Sequence, residues 1–266
     1  MNKIDNLFQT KGTDILSVYF TAGFPNLNDT EEILRQLQDS GADMVEVGIP
    51  FSDPMADGVV IQESSHQALQ NGMNLDILFA QLTNIKHEIQ IPVILMGYFN
   101  PVFKYGVERF CRKCVASGVS GLIIPDLPLE VYLDEYAALF GQHGLYYIPL
   151  VTPQTPDQRI VKLGKESKGF VYMVSTASIT GARPDLENSS AYFLRVRKLL
   201  PKTPLLIGFG IQDSGSFATA SKYANGGIIG TAFIKALKEV SSEGGDDIGL
   251  CHTIDAFVKS IKRLKK

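Results

Sequence analysis

One short stretch concentrates the residues able to move protons. Met44-Val-Glu-Val-Gly-Ile49 is a strand-like run carrying a single carboxylate, and the loop Pro50-Phe-Ser-Asp-Pro-Met-Ala-Asp-Gly58 adds Asp53 and Asp57. Period-two alternation puts Val45, Val47 and Ile49 on one face and Met44, Glu46 and Gly48 on the other. The β-branched face belongs under covering helices, so Glu46 points to the opposite, interior side. A carboxylate there is costly unless paired or used, and apolar surroundings raise its pKa toward values suited to proton transfer. Two readings stay open from the strand alone: a salt bridge to an interior lysine or arginine, or an acid–base group. The loop's two prolines make a stiff connection able to hold an aspartate beside Glu46, and two carboxylates in different environments can divide acid and base roles. An Asx-turn and a helix cap are the competing structural roles for such aspartates.

A second chemistry is suggested by three glycine-bearing segments, Ile179-Thr-Gly-Ala182, Gly208-Phe-Gly-Ile211 and Gly227-Ile-Ile-Gly-Thr-Ala232. Glycines at a helix start let backbone N–H groups meet an anion with no Cβ in the way, although each also serves as a plain turn residue. Cys111-Arg-Lys-Cys114 has redox-like spacing but lies within a helical pattern with no second pair, so it reads as part of a helix face. His66, His87, His143 and His252 fall away from strand ends and suit surface or capping roles.

The elements that must position these groups alternate along the chain. Apolar runs at 15–20, 44–49, 92–98, 121–125, 146–151, 169–175, 204–209 and 227–230 read as strands, with amphipathic helical stretches between them. About eight βα units over roughly 250 residues predict a closed (β/α)8 TIM barrel, of class α/β, with a doubly wound open sheet as the alternative. Thr21-Ala-Gly-Phe-Pro25 stands where the open sheet would carry its Gly-x-Gly-x-x-Gly turn. Residues 1–12 and 250–266 read as extra terminal helices, and the absence of a linker or charge block predicts one domain over 1–266. In such a barrel, the loops after the last two strands commonly bind phosphate. With 25 basic against 28 acidic residues in 266, no basic surplus marks nucleic acid or an anionic membrane as a partner. No apolar run reaches the roughly 18 residues of a membrane span. Three cysteines and an N-terminus lacking an apolar signal core make the cytoplasm the expected compartment.

The segment Val45-Glu-Val-Gly-Ile-Pro-Phe-Ser-Asp-Pro-Met-Ala-Asp-Gly58 with Ile61-Gln62 resembles the active-site signature of the tryptophan synthase α subunit family. Thr21-Ala-Gly-Phe-Pro25, Met96-Gly-Tyr-Phe-Asn-Pro-Val-Phe103, Pro125-Asp-Leu-Pro128 and the three glycine segments extend the likeness over nearly the whole chain. The resemblance implies retro-aldol cleavage of indole-3-glycerol phosphate to indole and glyceraldehyde 3-phosphate. It implies no metal or cofactor in this subunit, and a pyridoxal-phosphate-bearing β subunit as partner in an α2β2 assembly. Position by position, Glu46 matches the acid–base glutamate, Asp57 the aspartate at the indole nitrogen and Tyr172 a tyrosine beside the glutamate. Gly181, Gly210 and Gly230 match backbone phosphate contacts, with Thr231 where many relatives have serine. Ile61, Tyr98, Ile123 and Phe209 match the wall around the indole ring, and Tyr19, where phenylalanine is common in the family, adds a hydroxyl to that wall. Pro50 and Asp53 match the face that meets the β subunit. Thr180 matches a threonine that reaches the aspartate when the loop after the sixth strand closes, and that loop departs from the family at Thr176 and Ser178. A free-standing lyase that releases indole, and a barrel acting chiefly as a regulatory partner, are the other roles this fold could serve.

Overall fold

The structure is a computed structural model that describes residues 1–54, 57–175, 189–242 and 247–262. The chain opens with α1 (Lys3–Thr10), β1 (Ile15–Thr21), α2 (Asp29–Asp39) and β2 (Met44–Gly48). Two helices, α3 (Val59–Gln70) and α4 (Leu75–Ile85), lead to β3 (Val93–Met96), and α5 (Phe99–Tyr105) with α6 (Val107–Ala116) lead to β4 (Gly121–Ile123). Next come α7 (Leu129–Val131), a π-helical turn over Tyr132–Tyr136, α8 (Ala137–Gln142), β5 (Tyr146–Tyr147) and β6 (Leu150–Val151). The second half runs α9 (Asp157–Glu166), β7 (Val171–Val174), α10 (Ser190–Leu199), β8 (Leu205–Gly208), α11 (Ser214–Tyr223), β9 (Gly226–Ile229), α12 (Thr231–Ser242) and α13 (Asp247–Lys262).

All strand pairs are parallel, in the order β5-β4-β3-β2-β1-β9-β8-β7-β6. The two segments at the ends of that order are neighbours in the chain. Ile148 donates its N–H to Leu122 O at 2.9 Å, and the next carbonyl, Pro149 O, accepts from Tyr172 N–H at 3.0 Å. A proline has no N–H for the ladder, so the strand over 146–151 divides at Pro149: its first part bonds β4 and its second bonds β7. The sheet thereby returns on itself as the (β/α)8 barrel, and the open-sheet alternative falls.

The alternation seen in the sequence sorts the strands into two apolar layers. Val45, Val47 and Ile49 pack in the large cluster shared with the helices, whereas Met44, Ile94, Ile123, Ile148, Phe170, Leu206 and Ile228 fill the interior. From α1, Ile4 is fully buried in that interior cluster, with Leu7 and Phe8 packed against it, so the first helix plugs the end opposite the strand C-termini. Both terminal helices are pinned at Asp43, whose carboxylate accepts from Leu16 N–H at 2.8 Å, Lys11 Nζ at 2.5 Å and Lys262 Nζ at 3.3 Å. That leaves the C-terminal ends of the strands as the open end, where barrels place their chemistry.

Candidate active site

Glu46 sits mid-strand on β2, opposite Tyr19 of β1 in the parallel register, and is fully buried. Ser17 Oγ donates to its Oε1 at 3.0 Å, while Oε2 has no partner among the described residues. Nor does any lysine or arginine among those residues form an ion pair with it, so the salt-bridge reading is set aside. Burial pushes the carboxyl pKa up to about 8, the Ser17 hydrogen bond pulling the other way. At neutral pH the group is therefore mainly protonated, and its proton belongs to a site with an unengaged oxygen.

The loop after β2 divides its two aspartates. Asp57 turns inward, where its Oδ2 accepts from the Tyr98 hydroxyl at 3.0 Å and burial raises its pKa, that hydrogen bond acting the other way. Its backbone is held from both sides: Asp57 N–H donates to Pro54 O at 3.0 Å, and Gln62 Nε2 donates to Asp57 O at 2.8 Å. Asp53 is exposed and accepts from the Ser52 hydroxyl. Neither aspartate caps the following helix, because Gly58 occupies the N-cap of α3 with no side-chain cap bond. Pro50, beside them, is buried in this chain, so of the two residues matched to a partner face only Asp53 lies open to a partner.

Two tyrosines cross the interior beside these carboxylates. A Cβ on Gly48 would lie 2.2 Å from the Tyr19 hydroxyl and one on Gly208 2.0 Å from the Tyr172 hydroxyl, so each phenol occupies space that a strand glycine leaves free. Burial raises both phenol pKa values, with further contributions from the charges of Asp57 and Glu46 on Tyr19 and of Glu46 and Asp57 on Tyr172. The four ionisable groups thus share one electrostatic neighbourhood. Tyr172 also meets the edge of Phe209, with ring centroids 6.3 Å apart, and Tyr98 meets Phe51 at 5.2 Å. Ile123 lies in the interior cluster with no exposed surface, and Ile61 is half-buried on α3.

On the far side of the mouth, Phe209 and Gly210 adopt successive positive φ values of 67° and 81°. For a phenylalanine that conformation costs of order 1–3 kcal/mol, so its surroundings must hold it there, and Ser175 Oγ donates to Phe209 O at 2.6 Å. Gly230 follows β9, and its carbonyl accepts from Ile234 N–H at 3.0 Å at the start of α12, whose first residue is the exposed Thr231. By contrast α11 is closed by a capping box in which Asp213 Oδ1 accepts from Ser216 N–H at 2.8 Å. An anion is therefore better served at the N-terminus of α12 than at that of α11, where a carboxylate already stands. Thr180 and Gly181, with Thr176 and Ser178, lie outside the described residues. Sequence reasoning missed Ser17 and Phe51; Ser17 shares the interior face with Tyr19 by period two, which is the signal that could have found it.

The family model for the tryptophan synthase alpha chain matches residues 6–259. The chain belongs to the tryptophan synthase alpha chain family. Its relatives include the tryptophan synthase alpha chain of Parabacteroides distasonis, 54% identical over 99% of this chain and 100% of that one. The alpha chain of Flavobacterium johnsoniae is 53% identical over 91% of this chain and 96% of its own. Among solved structures, the tryptophan synthase alpha chain from Legionella pneumophila superposes with a TM-score of 0.86 at 34% identity, covering 98% of this chain and 96% of that one. The barrel with its terminal helices is thus the form of the tryptophan synthase alpha chain family. Within it, the chain sets a protonated carboxyl, a second carboxylate and a helix start suited to an anion around one opening.

Proposed function

We propose that Glu46 and Asp57 carry the lyase reaction of the tryptophan synthase alpha chain family, cleavage of indole-3-glycerol phosphate to indole and glyceraldehyde 3-phosphate in tryptophan biosynthesis. The observation that supports these roles above all is Glu46 itself: a buried carboxyl with a pKa near 8, no cation beside it among the described residues and one oxygen unengaged. The carbon–carbon bond to the glycerol chain breaks easily only after indole C3 gains a proton, because the ring can then take back the bonding pair as the aldehyde forms. Glu46 supplies that proton, and the proton released from the side-chain hydroxyl restores the acid. Asp57 accepts the indole N–H, which carries positive charge while C3 is protonated. Tyr172 keeps its phenol beside Glu46, and Tyr19, Ile61, Tyr98, Ile123 and Phe209 form the apolar wall. The phosphate rests on backbone N–H groups at Gly181, Gly210 and Gly230 and on the Thr231 hydroxyl.

The partner in this reading is the β subunit of tryptophan synthase, in an α2β2 assembly that carries pyridoxal phosphate on the β side and none in this chain. Asp53 faces that partner, and Pro50 shapes the loop that presents it. We place the chain in the cytoplasm; among the described residues no helix is long and apolar enough to cross a membrane. Indole release from indole-3-glycerol phosphate, measured on the purified chain with and without a β subunit, tests the proposal. Equal amounts of indole and glyceraldehyde 3-phosphate are expected, formed faster with the partner. A rate unchanged by the β subunit would instead identify a free-standing lyase, and no turnover in either arm overturns the proposal.

A further inference from the structure

We propose that Ser17 is a positioning residue for the cleavage step, its hydroxyl assigning the transferable proton of Glu46 to Oε2. The inference rests on the acid role proposed for Glu46. Ser17 lies on β1 with no exposed surface, its register neighbours being Met44 on one side and Ile228 on the other. A hydroxyl in such apolar company is costly unless bonded, and here it donates to Glu46 Oε1 at 3.0 Å. Donation to Oε1 can persist whether Glu46 is charged or neutral. With Oε1 engaged as an acceptor, the proton resides on Oε2, the oxygen with no partner among the described residues. A fixed proton location lets transfer begin without first rotating the carboxyl, which is the advantage of preorganised acid–base groups.

The ionisable groups around Glu46 are Tyr19 from β1, Tyr172 from β7 and Asp57 from the β2–α3 loop, none of them a cation. Ser17 is thus the group that most directly favours the ionised form of Glu46, and removing it moves the carboxyl pKa further up. In Ser17→Ala, kcat for indole formation from indole-3-glycerol phosphate should fall about tenfold while KM stays within about twofold. The alkaline limb of the kcat profile should move up by roughly one pH unit, and Ser17→Thr, which keeps the hydroxyl, should restore both toward wild type. A merely structural serine would lower the melting temperature without moving that limb. Glu46→Gln, assayed in parallel, separates two failures. If Glu46→Gln is inactive but Ser17→Ala keeps the wild-type kcat, or loses kcat with the limb unmoved, the positioning role is wrong and the acid assignment stands. If Glu46→Gln remains active, both fall.

Discussion

The acid role proposed for Glu46 comes at a cost to the fold, and that cost grows with pH. Its folded pKa, near 8, lies above the value of about 4.3 of an exposed glutamate, so the folded state binds a proton that the unfolded chain has released. Stability is therefore lost as pH rises from about 4.5 through about 8, by of order a few kcal/mol. Glu46→Gln, which cannot ionise, should match the wild type in denaturant unfolding near pH 5 and exceed it at pH 9. A stability gap that does not change with pH would contradict the buried-acid assignment. The two loop aspartates should separate as cleanly. Asp57→Asn should cut cleavage by about 100-fold or more in the isolated chain, because the amide no longer balances the charge at the indole nitrogen. Asp53→Asn should leave the isolated chain within about twofold and weaken stimulation by the β subunit; equal losses would show the roles to be misassigned. At this scale the strand pattern alone pointed Glu46 inward but could not choose between acid and ion pair, since that depends on which side chains face it across the barrel. Period two places Ser17 on the interior face with Tyr19, but the apolar run around it does not identify the side chain it bonds.

Strands β7 and β8 illustrate how paired elements share space. Val174 of β7 sits in register with Gly208 of β8, and the Tyr172 hydroxyl fills the volume where a Gly208 side chain would stand. Gly208→Ala should cost about 1–3 kcal/mol of stability and displace the phenol, lowering activity. Adding Tyr172→Leu should return stability without returning full activity, a coupling that unfolding measurements on the double variant would read. At the other helix start, Thr231→Val should raise KM for the phosphorylated substrate several-fold with kcat little changed, while Thr231→Ser stays near wild type, as steady-state kinetics would show. Strands buried on both faces write themselves as apolar runs, which is why all eight were legible. What the runs conceal are local breaks: Pro149 divides one strand by withholding an N–H, and the helical pattern over 129–140 gives no hint of the π-helical turn at Tyr132–Tyr136.

Over the whole molecule, Lys11 and Lys262 both reach Asp43 near the N-terminal side of the strands, and the proposed acid–base groups lie on the opposite side. That separation keeps the rigid pins away from the mouth, where the proposed substrate would enter. The repeating βα arithmetic made this architecture readable from the sequence, and the long signature around Glu46 made the family readable with it. The proposed phosphate site shows in the sequence only as glycine spacing, because an anion site is built from backbone directions that side-chain identities do not encode. The proposed acid is the buried Glu46 carboxyl, with Asp57 accepting the indole N–H. The most direct test of that acid role is the rate of indole formation by Glu46→Gln at saturating indole-3-glycerol phosphate, with binding of the substrate checked on the same protein. A loss of about 100-fold or more with binding retained is the expected result, and activity above about a tenth of wild type would contradict it.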